Sequence, residues 1–137
     1  MFGKITTALA IFALSTASAM AATSFPIDAK LNCFDVETPT VTGTPAKFEL
    51  APGRYVVSVI DNTMSCSNGG QLTNHCLIDT VILKGGLKQA SWGLSVKNPT
   101  IIDVTSFPEY PYFYAFVADG ICGDNTGGAS LSFQKAK

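Results

Sequence analysis

Histidine is almost missing from this chain. His75 is the only one, and it sits beside Cys76, a cysteine expected to be oxidised. A disulfide sulfur is not a thiolate, so a Cys–His nucleophile pair is excluded. No GxSxG or HExxH motif occurs, which removes the best-marked hydrolase sites. The carboxylates are scattered, and no pair is placed by position as in a glycosidase. Cys66, His75 and Cys76 lack the CxxC-like spacing and the four ligands of a zinc site. The expectation is a protein that binds rather than catalyses.

Net charge is also scarce. Nine basic residues face ten acidic ones, a formal balance of −1. Such a chain has no electrostatic footprint for nucleic acid or for an anionic membrane surface. Beyond residue 22 there is no amphipathic helical stretch of ten residues, no internal repeat and no second apolar run able to span a bilayer.

The start of the chain, MFGKITTALAIFALSTASAMAA, reads as a secretory signal peptide. Lys4 gives the positive end, Ile5 to Leu14 the apolar core, and Ala17, Ala19, Ala21 and Ala22 the small-residue cleavage zone. Its apolar run is about half the ~20 residues of a membrane-spanning helix. Cleavage after Ala21 divides the chain into a signal peptide, 1–21, and one domain, 22–137. The domain is expected to be exported, periplasmic or secreted, with no membrane span.

All four cysteines, Cys33, Cys66, Cys76 and Cys122, fall in the exported part. An even count behind a signal peptide implies two disulfides. Three pairings are possible. The one adopted is a local Cys66–Cys76 staple and a long Cys33–Cys122 bond. Chain entropy assigns roughly 3 kcal/mol to the first and roughly 4.6 kcal/mol to the second. The long bond would tie the start of the mature domain to the 119–128 loop.

Short segments with a two-residue apolar period predict strands. Lys30 to Val36 is a short one carrying Cys33. KFEL, from Lys47, leads through an Ala51-Pro52-Gly53-Arg54 type II turn into YVVSVI, with Tyr55, Val57 and Val59 facing the core. Leu77 to Leu83 is a strand, Lys84-Gly85-Gly86-Leu87 a turn, Lys88 to Val96 a strand and Ile101 to Val104 another. A final hairpin has Tyr112, Tyr114 and Phe116 on one face of its first arm and Ala129, Leu131 and Phe133 on one face of its second. Seven or eight short antiparallel strands predict an all-β fold, a single jelly-roll-like β-sandwich.

The hairpin loop, Asp119 to Gly128, is the leading site. Asp119, Asp124 and Asn125 offer side-chain oxygens, and Gly120, Gly123 and Gly127 would let carbonyls turn inward. Calcium takes six to eight such oxygens. The same residues also fit an ordinary loop in which Asp and Asn bond their own backbone.

The pattern strand–Asp–x4–Asp-Asn-Thr-Gly–strand resembles the calcium-dependent, galactose-binding bacterial lectins and related jelly-roll domains with a terminal DN[S/T]G loop. KFELAPGRYVVSV looks like the first strand–turn–strand of such sandwiches. The resemblance implies a calcium ion held by Asp119, Asp124 and Asn125, with sugar hydroxyls completing its shell. The chain departs from that pattern in placing Cys122 inside the loop and no threonine before Gly123.

Trp92, Tyr110 and Tyr112 are the candidate sugar-contacting aromatics, although Trp92 also suits a small sandwich core. The function expected is a lectin-like domain for a carbohydrate or cell-surface glycan. The alternative is an exported structural or protein-interaction module with a protein partner and no small ligand.

Overall fold

The computed structural model describes residues 21–37, 43–66, 76–86, 91–105 and 111–136. Residues 1–20 of the expected signal peptide, His75 and Tyr110 lie outside them. Among the described residues twelve strands are formed: β1 (Thr23–Asp28), β2 (Cys33–Asp35), β3 (Ala46–Glu49), β4 (Gly53–Ile60), β5 (Ser65–Cys66), β6 (Cys76–Leu77), β7 (Val81–Gly86), β8 (Ser91–Val96), β9 (Thr100–Val104), β10 (Tyr112–Asp119), β11 (Asn125–Thr126) and β12 (Gly128–Lys135). A 3-10 turn at Cys122–Asp124 is the only helical element among the described residues. None of them is a helix long and apolar enough to cross a membrane.

One sheet runs β1-β12-β4-β9, and a second runs β2-β10-β7-β8 with β3 also paired to β10. A small third sheet, β11-β5-β6, gathers the loops at one end. Pairing is antiparallel except between β2 and β10, which run parallel, Val117 opposite Cys33 and Asp119 opposite Asp35. β1 is not legible as a strand in the sequence, because Pro26 interrupts it. Among the described residues it is an edge strand, paired only with β12, and an edge tolerates a residue without an N–H.

The two larger sheets share one core. β12 contributes Ala129, Leu131 and Phe133, β4 contributes Tyr55 and Val57, and β10 contributes Phe113, Ala115 and Val117, all buried. Phe48 on β3 lies against Phe25 of β1 at 4.1 Å and Phe133 of β12 at 5.4 Å between ring centroids, so it joins the two sheets. Each such aromatic contributes about 1.5–3 kcal/mol through burial. Tyr55 keeps its hydroxyl satisfied by donating to the Ala51 carbonyl at 2.7 Å.

Four local expectations are corrected. Leu77 to Leu83 is not one strand, since β6 ends at Leu77 and β7 begins at Val81. The final hairpin does not form: β10 and β12 belong to different sheets. Their apolar faces, Phe113-Ala115-Val117 and Ala129-Leu131-Phe133, pack into the same core cluster, so the 119–128 segment crosses from one sheet to the other. The face bearing Tyr112, Tyr114 and Phe116 is the outer one. The Ala51–Arg54 turn is likewise a crossing between sheets, since β3 pairs with β10 and β4 with β12 and β9. Gly53 has φ 153°, more extended than a type II turn, and already opens β4. Finally, Gly85 and Gly86 continue β7 instead of turning, opposite Trp92 and Ser91.

The disulfides are Cys33–Cys122 and Cys66–Cys76, with Cα separations of 5.7 and 5.1 Å. Two such bonds suit an oxidising, exported environment.

Candidate functional site

The 119–128 segment is held from three sides. Its entry is fixed by the parallel β2–β10 pair, and the Val36 amide donates to the Asp119 carbonyl at 2.9 Å. Its middle is pinned by Cys122, bonded to Cys33 of β2. Its exit is clamped by Thr63, whose amide donates to the Gly128 carbonyl at 2.8 Å while its Oγ1 accepts from the Gly128 amide at 3.2 Å. The Gly127 carbonyl accepts from the Ala29 amide at 3.0 Å. Thr63 lies 65 positions from Gly128, and no local pattern in the sequence marks it as part of this site.

Of the three glycines expected to turn carbonyls inward, only Gly127 has a positive φ, 80°. A Cβ there would also run into the Thr63 carbonyl. Nothing lies within 4 Å of a Cβ built on Gly123, so that position has no steric need for glycine.

Asn125 is 2% exposed. Its Nδ2 donates to the Ala29 carbonyl at 3.0 Å and to the Cys33 sulfur at 3.3 Å. Its Oδ1 is buried and accepts no hydrogen bond. Asp119 spends one oxygen locally, Oδ1 accepting from the Gly120 amide at 2.7 Å. Its Oδ2 is buried with no hydrogen-bond partner. Burying these two atoms unsatisfied costs on the order of 1–3 kcal/mol each, more when charged. Asp124, on the 3-10 turn, also buries a carboxylate oxygen, Oδ1. The three residues singled out from the sequence thus all bury side-chain oxygens in this segment. Two carboxylates and an amide are oxygen donors of the kind a hard cation takes. Among the described residues no three His, Cys, Asp or Glu side chains group as metal ligands.

The candidate aromatics do not join this set. Trp92 is half-buried on the core side of β8, its ring 6.0 Å from that of Phe113. Tyr112 is 40% exposed on the opposite face of the same sheet. It opens β10 and Asp119 closes it, a span of about 24 Å at the rise of a strand. The Lys47 ammonium sits 3.5 Å from the Tyr112 ring centroid. The large hydrophobic side chains exposed near the loop are aliphatic, Val36, 69% exposed, and Ile121, 61%; Glu37, Thr63 and Thr126 are exposed beside them.

Comparison with protein-family models, with curated proteins and with solved structures finds no match.

Proposed function

We propose that this is an exported carbohydrate-binding domain on a jelly-roll-like sandwich, with a calcium ion held in the 119–128 segment. The observation that carries the reading is the pair of buried oxygens without hydrogen-bond partners, Asp119 Oδ2 and Asn125 Oδ1, on one disulfide-pinned segment. Asp119, Asp124 and Asn125 would hold the ion. Bound there, calcium would supply open coordination positions for vicinal sugar hydroxyls. The chain's own share is rigidity: the Cys33–Cys122 bond and the Thr63 clamp fix the oxygens before the ion arrives, so little ordering is left to be done on binding.

The test is a thermal melt of the disulfide-bonded protein, first in chelator and then in calcium. A ligand at about 100 times its Kd adds about 2.7 kcal/mol to the native state. For a domain of this size that raises Tm by roughly ten degrees. The shift should vanish in the Asp124→Ala/Asn125→Ala variant. No shift at millimolar calcium would remove the calcium-dependent lectin reading. A protein-interaction module would then lead, and β9 is where it would act: it is an edge strand with Ile101 56% exposed, open to pairing with a partner's strand.

A further inference from the structure

We propose that the outer face of β10 is a second glycan-binding surface, a strip of tyrosines flanked by lysines that takes an acidic polysaccharide without calcium. It shares with the reading above a glycan ligand but not the calcium segment, so either can fail alone.

The register builds this surface. Tyr114 is paired with Lys47 of β3 on one side and with Lys84 of β7 on the other. Directly opposed residues point to the same face of a sheet. Tyr114 therefore stands in register between two lysines. Lys84 stands 6.0 Å from the Tyr114 centroid, and Lys47 lies over Tyr112 at 3.5 Å. Both lysines are exposed, and among the described residues neither forms an ion pair. Glu49, opposite Tyr112, is the one carboxylate on these paired positions, which leaves the strip net positive. Tyr112 and Tyr114 lie about 7 Å apart along the strand. Beyond Lys84 the outward positions of β8 are Gly93 and Ser95, so no large side chain rises there to obstruct an extended chain.

Each part has a use toward a polyuronate. Tyrosine rings stack on the C–H faces of sugar rings. Ammonium groups on either side meet carboxylates that recur along the polymer. A neutral glycan would leave the two lysines unmatched, and a polyanion without sugar rings would leave the tyrosines unused. A cation–π contact keeps each ammonium near its place; the Lys47 ammonium covers the Tyr112 face it lies over, whereas Lys84 stands 6.0 Å from the Tyr114 centroid, so sugar stacking falls to Tyr114.

The probe is polygalacturonate in chelator, with affinity electrophoresis of the disulfide-bonded protein as readout. Retardation is expected at low salt and should fade as added salt screens the exposed charges. Dextran and polyglutamate should not retard the protein. Lys47→Gln/Lys84→Gln should weaken the retardation about tenfold, because it removes two exposed cations that each meet a carboxylate, at unchanged Tm. Tyr114→Ser, which leaves both charges and the Lys47–Tyr112 contact in place, should also weaken it. Absence of retardation, equal retardation by polyglutamate, or an unaffected double variant would each overturn the proposal. Asp124→Ala/Asn125→Ala should retain polygalacturonate binding, which separates this surface from the calcium segment.

Discussion

Asn125 donates a hydrogen bond to the sulfur of Cys33, 3.3 Å away, across 92 positions of sequence. Cys33 is bonded to Cys122, three residues before Asn125. One side chain of the candidate calcium segment is thus fastened to the bridge that fastens the segment itself. The second bond from the same Nδ2 reaches the carbonyl of Ala29, a fully buried residue.

Removing that amide should therefore destabilise the protein even without calcium. Asn125→Ala strips the Ala29 carbonyl of its side-chain donor in a buried site. The expected loss is about 1–3 kcal/mol, read from urea unfolding in chelator. Cys33→Ser/Cys122→Ser should lose more, roughly 4.6 kcal/mol, because the bond closes a loop of 89 residues. The calcium-induced rise in Tm should shrink in both variants. A full calcium shift in the cysteine variant would mean that the bridge does not organise the oxygens.

Two glycines of the same segment should respond oppositely to alanine. Gly127 combines φ 80° with a backbone carbonyl of Thr63 where a Cβ would stand. Gly127→Ala should cost more than about 2 kcal/mol, because backbone strain adds to a clash that must move the chain. Gly123 has open space around it, so Gly123→Ala should stay within about 0.5 kcal/mol. Urea midpoints of the two variants, measured side by side, check the contrast.

These positions also mark how far the sequence can be read. The alternation in β4 and β12 names their buried faces, Tyr55-Val57 and Ala129-Leu131-Phe133, because a two-residue period records which side meets the core. The four cysteines and the apolar amino end speak for an oxidised, exported chain. Partner choice is less legible. Tyr110–Phe133 looks locally like a hairpin, and nothing local shows that its two arms sit in opposite sheets. That follows from the other strands each arm pairs with, β7 and β3 for one, β1 and β4 for the other. The oxygen-bearing residues of the loop are visible by type. Their burial depends on Ala29, Cys33 and Thr63, residues distant in sequence. Lys47 and Lys84 become neighbours of one tyrosine through register alone.

Acid should weaken one surface contact in a defined window. Lys97 donates to Asp79 at 2.7 Å, and this hydrogen bond, helped by one from Thr80, holds the Asp79 carboxyl below its ordinary 3.8. A carboxylate with a depressed folded value contributes stability above its unfolded value, and loses it as pH falls through the folded one. The wild type should accordingly exceed Lys97→Met slightly at neutral pH, and the two should converge once the pH is well below 3.8. The pair is exposed, so the difference should be small and should shrink further in salt. Urea midpoints against pH give the comparison. Parallel curves down to the acid limit would show that the contact contributes nothing.

Gly85 should prove as demanding as Gly127, for a different reason. Its φ is not in the left-handed region, so the backbone there would accept alanine. The obstacle is packing. A Cβ on Gly85 would stand 2.6 Å from the Phe113 ring and 2.7 Å from the Trp92 ring. Those rings meet over the bare glycine, 6.0 Å apart between centroids and tilted by 56°. Gly85→Ala must push one of them aside, a form of overpacking that costs about 1–3 kcal/mol. Phe113 is buried between β3 and β7, whereas Trp92 is only half-buried near the sheet edge. Trp92 should be the ring that yields. Trp92 is the chain's only tryptophan, so its fluorescence reports the displacement directly: a red shift and easier quenching should accompany the lower urea midpoint. A lower midpoint with unchanged fluorescence would instead mean that Phe113 moved and that Trp92 is more firmly part of the core than its exposure indicates.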